Sequence, residues 1–368
     1  MNVLITGSDG FIAKNLIIVL KNLSFNIIKF NKKNNLNQLK SKILKSDIIF
    51  HLAGENRSKN KKDFFQNNVD LSKKISEIII ENKLKKKIIF SSSTQVMNNK
   101  KNIYAQTKLI SEKELIKCTK KTSSVVSIYR IPNVYGKWSK ENYNSVFATF
   151  AYNISRSKKI KILNPGKQVK LIYIDDLIEL FLQELKFTKK NKIININNYI
   201  SITSKKLAEL FYYFKKNRNW FGIKNVDALV LKKMYSSFLT YTPTRKYVYK
   251  LKKKEDHRGY FTEFLKMGNS GQISYFTIKK GKIRGMHYHN TKLEKFLILK
   301  GRVKFEFKNL INNKINTYFL KENEHKVIET VPGWLHTVKN IGKETVIGII
   351  WANEEFEINK SDTYYINE

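Results

Sequence analysis

The sequence predicts an α/β fold in two parts, a doubly wound parallel sheet followed by an all-β domain, and three observations predict it. A glycine-rich turn, Gly7-Ser-Asp-Gly10, separates an apolar strand at residues 2–6 from a helical pattern at 11–23. Strand-like apolar runs then alternate with helical spacing as far as residue 129, which is how a parallel sheet with crossover helices reads. Past Asp256 the helical spacing stops and short strands separated by Gly and Asn turns take over, the pattern of a β-sandwich or barrel.

Each element follows from its own run of residues. Further strands of the first part are expected at 26–30, 47–51, 87–90 and 124–129, with helices at 35–45, 64–82 and 108–117 between them. Beyond Tyr143 the pattern is less regular, and helices are expected near 146–157, 175–184 and 204–216. From 236 to 254 a Tyr/Thr/Pro stretch runs into Lys252-Lys253-Lys254. This reads as a linker or the first strand of a new domain, so the domains are set at 1–243 and 244–368. Strands of the second part are expected at 272–279, 295–299, 303–307, 315–320 and 345–351.

With 368 residues the chain is long enough to bury two cores, and 42% hydrophobic residues fit a folded protein. A single cysteine, Cys118, excludes an internal disulfide framework and fits a reducing compartment. The start carries no basic stretch followed by an apolar leader, and no apolar run reaches eighteen residues, so neither a signal peptide nor a membrane span is expected and the cytoplasm is the default. Lys+Arg number 70 against 30 Asp+Glu, a net charge of +40. The lysines fall in scattered runs without interleaved aromatics, in a chain also rich in Asn and Ile, as an A/T-rich genome would produce. No nucleic-acid partner is therefore expected, although a basic surface attracts an anionic substrate.

The turn Gly7-Ser-Asp-Gly10-Phe11-Ile12-Ala13 opens a helix directly after a strand, so backbone N–H groups and the helix N-terminus can meet a pyrophosphate. Downstream, Ser91-Ser92-Ser93 follows the fourth strand and Tyr104-Ala-Gln-Thr-Lys108 follows that. Tyr and Lys four apart share one helix face, and an ammonium beside a phenol lowers its pKa towards use in acid–base catalysis. Strand two ends on Asn31-Lys32-Lys33, where a site reading the ribose 2′-OH would carry an acid. Basic residues there suit a 2′-phosphate, so NADPH is expected over NADH. His51, at a strand end, is expected to pack rather than catalyse.

These residues, with His51-Leu52-Ala53-Gly54, Asn67-Asn68-Val69, Arg130-Ile-Pro132-Asn133-Val-Tyr-Gly136 and Tyr173-Ile-Asp-Asp176, occur in the order seen in extended short-chain dehydrogenase/reductases, which residues 1–240 resemble. That resemblance implies a Rossmann-type sheet, with Tyr104 as proton donor, Lys108 as its partner and ribose ligand, and Ser93 as the hydroxyl of the triad; Ser92 is the alternative. It places Gly7, Gly10, Phe11, Ile12, Ala13, Asn31, Lys32, Leu52, Ala53, Asn68 and Pro132 around the cofactor, and Ser93 and Asn133 at the substrate.

In Gly281-Lys-Ile-Arg284-Gly-Met-His287-Tyr-His289-Asn-Thr-Lys-Leu-Glu294 the two histidines, two apart on a strand, face the same way. Glu294 across a short turn and His336 in Pro332-Gly-Trp-Leu-His336 complete a set suited to zinc, iron, nickel or manganese. The spacing is similar to both motifs of the cupins, which implies a jelly roll holding one divalent metal, zinc favoured. Asp256-His-Arg258-Gly-Tyr-Phe-Thr-Glu263 and Arg284-Gly-Met-His287 also resemble the 4-keto-sugar-nucleotide epimerases. There the matching histidine is a base and a tyrosine near the C-terminus donates a proton, here matched to Tyr364, with Arg258 and Arg284 at the substrate. A histidine bound to metal has no free lone pair, so His287 is either ligand or base.

Over nearly its whole length the chain resembles the bifunctional UDP-sugar enzymes of capsular and O-antigen polysaccharide synthesis. The resemblance implies C3 epimerisation and NADPH-dependent C4 reduction of a UDP-2-acetamido-2,6-dideoxy-hexos-4-ulose to UDP-N-acetyl-6-deoxy-L-talosamine, by a homodimer. One rival is an epimerase or dehydratase that cycles its cofactor; a dehydratase would carry an acid where Thr94 stands. The other makes the β-domain a binding or dimerisation module without catalysis.

Overall fold

The computed structural model describes residues 1–58, 60–98, 102–185, 190–218, 228–356 and 362–366. By its contacts the chain divides into two compact units, Met1–Lys215 with Ala228–Thr244, and Lys216–Asp227 with Arg245–Glu368.

In chain order the first unit runs β1 (Asn2–Thr6), α1 (Phe11–Asn22), β2 (Asn26–Phe30), α2 (Leu36–Lys45), β3 (Ile48–His51), α3 (Lys61–Phe64), a π-helical stretch at Phe65–Asp70, α4 (Leu71–Glu81) and β4 (Lys87–Ser93). It continues through α5 (Gln95–Asn98), α6 (Ile103–Lys121), β5 (Val125–Ile131), β6 (Asn133–Tyr135), α7 (Val146–Ser155), β7 (Gln168–Tyr173) and α8 (Ile174–Gln183). It ends on β8 (Lys192–Asn195), β9 (Ile200–Thr203), α9 (Ser204–Lys216) and α10 (Ala228–Leu239). The main sheet has the order β2-β1-β3-β4-β5-β8, and its strand pairs are parallel. This is the doubly wound, Rossmann-type sheet expected from the sequence.

Val3, Leu4 and Ile5 are fully buried because helices cover both faces of β1, so its apolar residues need not alternate. The chain leaves β1 for β2 on one side and returns to β3 on the other. That reversal opens the crevice at the carboxyl ends of the strands where such sheets bind ligands.

Several elements differ from expectation. Helix α6 begins at Ile103, not at 108, with Asn102 accepting from the Tyr104 backbone N–H at 2.9 Å as its cap. Helix α10 runs to Leu239, into the stretch read as linker. The small sheet β6-β7-β9 had no clear alternating pattern. Between α3 and α4 the π-helical turn breaks the i→i−4 ladder, and the carbonyl of Asn68 accepts from the Leu71 backbone N–H and from the hydroxyls of Ser72 (2.7 Å) and Ser111 (3.0 Å).

The second unit consists of β10 (Lys253–Asp256), β11 (Gly259–Lys266), β12 (Gln272–Ile278), β13 (Ile283–Tyr288), β14 (Glu294–Lys300), β15 (Arg302–Asn309), β16 (Ile315–Lys321), β17 (Val327–Glu329), β18 (Trp334–Asn340), β19 (Val346–Ala352) and β20 (Tyr364–Tyr365). They form two sheets, β10-β11-β12-β19-β14-β17 and β16-β15-β18-β13-β20, a jelly roll of the cupin type. Phe276, Phe296, Phe305, Phe307 and Val338 fill its core, so one end of the interior is left for polar side chains.

Candidate functional site

At the first unit's crevice Gly7 adopts φ +66°, and a Cβ there would lie 2.7 Å from the Ala53 Cα. Only glycine lets the turn pass so close to the segment after β3. Gly10 opens α1 with no side-chain cap and no acid in its first turn, so the N–H groups of Phe11 and Ile12 are free of side-chain caps and Ala13 packs beneath. A dinucleotide pyrophosphate fits this helix end. Asn31 and Lys32 follow β2, Leu52 and Ala53 follow β3, and Pro132 follows β5, all at the same carboxyl edge.

Tyr104, Lys108 and Glu112 recur every four residues along α6 and share one face. Tyr104 hydrogen-bonds Ser93, while burial pushes its phenol up to about 12. The neighbouring Lys108 was expected to lower that pKa. Its Nζ instead donates to the Ser91 carbonyl at 2.8 Å and lies over the Phe90 ring. Burial lowers Lys108 to about 8, against the opposing pull of Glu112. Successive residues of a strand face opposite ways, which separates the two serines. Ser93 meets Tyr104, and Ser92 donates to Glu112 at 2.5 Å. Glu112 in turn takes a bidentate bond from Arg130, at 3.1 and 2.7 Å, a network the sequence reading missed.

His51 is fully buried, 2.8 Å from the Thr6 hydroxyl and 2.9 Å from that of Ser72. Burial and the charge of Lys108 lower it to about 3. It is a neutral tie between β1, β3 and α4, in agreement with a packing role.

In the second unit His287 sits on β13, His336 sits on β18 and Glu294 begins β14, so both sheets contribute. One nitrogen or oxygen from each of His287, His289, Glu294 and His336 lies within 4.8 Å of all the others. The His289 Nδ1–H donates to the Asp362 carbonyl, because a carbonyl can only accept. Its Nε2 lies 3.4 Å from Glu294 Oε2, with His336 Nε2 at 3.5 Å from the same oxygen. Those ring nitrogens, and Nδ1 of His287, are buried with no hydrogen-bond partner. Unpaired buried ring nitrogens gathered around a carboxylate suit a cation. With bonds of about 2.1 Å a tetrahedral cation holds its neighbours about 3.4 Å apart, so the set fits a metal.

Burial lowers His287 to about 3, helped by the charge of His336, and so keeps its lone pair free. Burial works to raise Glu294, but the adjacent His289 and His336 and the charge of Lys292 hold it well below the usual carboxylate range. The set borders a cavity of about 340 Å³ that Arg258, Arg284, Asp256 and Tyr365 also line. Asp256 accepts from Arg258 at 2.7 Å and from Arg284 at 3.4 Å, so one carboxylate ties both guanidiniums to the wall.

Residues 3–197 match the model of the NAD dependent epimerase/dehydratase family. The chain belongs to that family. Residues 254–364 of this family member match the polysaccharide biosynthesis C-terminal domain. It is 34% identical, over 99% of its length and 98% of the relative's, to the UDP-2-acetamido-2,6-beta-L-arabino-hexul-4-ose reductase of Pseudomonas aeruginosa. A crystal structure of capsular polysaccharide assembling protein CapF from Staphylococcus aureus matches along 100% of both chains, with TM-score 0.88 and 34% identity. UDP-glucuronic acid 4-epimerase from Bacillus cereus in complex with NAD matches 66% of this chain and 98% of its own at 18% identity, TM-score 0.54, a likeness of fold. The epimerase/dehydratase-family chain is thus a nicotinamide-dependent oxidoreductase. No helix among its described residues is long and apolar enough to cross a membrane.

Two expected residues of this family member, Tyr364 and His289, lie differently from the sequence reading, and two others have partners that it did not foresee. Tyr364 stacks on Tyr288 at 5.2 Å, away from the cavity, and it is Tyr365 that stands beside His287, ring centroids 5.4 Å apart. His289 lies past the end of β13 rather than on it. Lys32, with its side chain 82% exposed, pairs with Glu55 at 3.4 Å, an acid the reading of β2 overlooked because it comes from the segment after β3. Asn133 donates its side-chain amide to the Lys170 carbonyl at 3.1 Å.

Proposed function

We propose that the protein is a bifunctional cytoplasmic sugar-nucleotide enzyme, acting as a homodimer in capsule or O-antigen polysaccharide synthesis. Its second unit epimerises C3 of a UDP-2-acetamido-2,6-dideoxy-hexos-4-ulose. Its first unit reduces the C4 ketone with NADPH to give UDP-N-acetyl-6-deoxy-L-talosamine. The observation that carries this reading is end-to-end similarity to a protein named as a hexul-4-ose reductase, in a chain where Ser93, Tyr104 and Lys108 converge.

In the reduction, bound NADPH supplies the hydride to C4. Ser93 holds the ketone oxygen, and Tyr104, whose phenol keeps its proton up to about pH 12, delivers that proton to the oxygen as charge develops. Lys108 binds the nicotinamide ribose and keeps positive charge beneath the phenol. Asn68, Leu52, Ala53 and Pro132 line the cofactor, and Asn133 lies by the sugar.

In the epimerisation, the C4 ketone acidifies the C3–H, and a divalent metal on His287, His289, Glu294 and His336, zinc favoured, supplies positive charge for the enolate. His287 is then a ligand rather than the base. Arg258 and Arg284 engage the diphosphate, Tyr365 delivers a proton to one face of C3, and the C3–H proton on the other face leaves to solvent.

Incubation with NADPH and the 4-keto UDP-sugar is expected to oxidise one NADPH per ketone and to give a product inverted at C3 by NMR. Turnover without net NADPH oxidation would establish a cofactor-cycling epimerase instead. The NADPH preference rests on β2 running into Asn31-Lys32-Lys33 without an acid, where a 2′-phosphate would compete with Glu55 for Lys32. Replacing Lys32 by Ala is expected to raise KM for NADPH about tenfold, the size of one charge-assisted contact, with KM for NADH unchanged in steady-state assays.

A further inference from the structure

The metal set is held from behind by residues far along the chain. Asp362 gives two different groups to the loop between β13 and β14. Its backbone carbonyl takes the Nδ1–H of His289. Its carboxylate accepts from the backbone N–H groups of Asn290 (3.0 and 3.1 Å), Thr291 (2.6 Å) and Lys292 (2.9 Å), and from the Thr291 hydroxyl (3.0 Å). Three consecutive N–H groups aimed at one carboxylate fix the course of the loop.

That course has a chemical result. Lys292, 7% exposed, turns inward and lies 3.0 Å from Glu294 Oε1. One carboxylate oxygen is thereby occupied, and the other, Oε2, is left facing His289 and His336. The same stretch of chain then enters β20, which pairs Tyr365 with His287 and Tyr364 with Tyr288.

We infer that Asp362 is a positioning residue for the metal set, which fixes the ring of His289 through its carbonyl and, through the loop that carries Lys292, turns a single oxygen of Glu294 to the metal. The inference rests on the reading that His287, His289, Glu294 and His336 hold a divalent metal. It adds that the segment 362–366 and the metal stabilise one another, since any group that raises metal affinity must itself be stabilised by the metal.

The test is zinc titration of the chelator-stripped full-length protein by competition with an indicator dye. Removing an outer hydrogen-bond partner of a ligand costs about 10–100-fold in metal affinity, so Asp362→Ala is expected to bind zinc at least about tenfold more weakly. The visible spectrum of its cobalt(II) form should shift, reporting altered ligand geometry. Asp362→Asn keeps one acceptor oxygen and is expected to recover part of the loss. Failure of the wild-type protein to bind zinc would remove the metal reading itself. Wild-type affinity and an unchanged cobalt spectrum in Asp362→Ala would overturn the positioning role alone. Should Asp362→Ala not fold, hydrogen exchange on the wild-type protein decides the matter. Saturating zinc is expected to slow exchange of the Tyr364 and Tyr365 amides about tenfold or more, and exchange indifferent to zinc would overturn the inference.

Discussion

Tyr104→Phe is expected to slow ketone reduction by about a thousandfold while leaving NADPH binding intact, since a positioned general acid contributes roughly 10²–10⁴. The phenol hydrogen-bonds Ser93, and its raised pKa means that the proton is present throughout the working range. Lys108 sets the upper limit instead. Burial lowers it to about 8, so its positive charge is complete below that pH and lost above it. For the wild-type enzyme kcat/KM for reduction is therefore expected to fall as pH rises through about 8. Glu112 opposes the lowering of Lys108, and Glu112→Gln is expected to move this limb to lower pH. Stopped-flow hydride transfer across pH checks both results. Reduction by Tyr104→Phe at the wild-type rate would remove the assignment of the acid.

The second large effect separates neighbouring tyrosines. Tyr365→Phe is expected to cut deuterium uptake at C3 from D2O by about a hundredfold, whereas Tyr364→Phe should exchange at close to the wild-type rate. Tyr365 lines the cavity beside His287, and Tyr364 stacks on Tyr288 on the other face. Proton NMR of the 4-keto UDP-sugar in D2O, with NADPH withheld so that only the second unit acts, reads the exchange directly. Equal losses in the two variants would mean that the tyrosine's place on β20 does not matter.

The sequence was most legible where the pattern is local. The strand–turn–helix at Gly7–Ala13, the Tyr104/Lys108 pair and the alternating strands and helices up to β5 could be read because each depends on residues near one another in the chain. Parity across strands was not legible in this way. Tyr364 and Tyr365 are both exposed and differ in which one borders the cavity beside His287, and that is set by the pairing of β20 with β13, a contact more than seventy residues distant in sequence. The pairing of β13 with β18 carries a further irregularity between Gly285 and His287, with Met286 at φ 61°, and such a bulge changes which side chains point inward. The network of Ser92, Glu112 and Arg130, and the reach of Asp362 to the loop after β13, join residues whose sequence neighbourhoods carry no sign of one another. The acid near Lys32 was missed for the same reason, since Glu55 arrives from another strand's end.

Gly285 adopts φ +93°, and a Cβ built on it would lie 2.5 Å from the His336 carbonyl oxygen. It lies on β13, the strand that carries His287, and pairs with Thr337 of β18, next to His336. A methyl group at this position would have to wedge the two strands apart, and the two imidazoles would part with them. The bite of the chelate is thus governed by a residue that has no side chain and donates no electron pair. Alanine there should loosen the grip on the cation while every ligand keeps its identity.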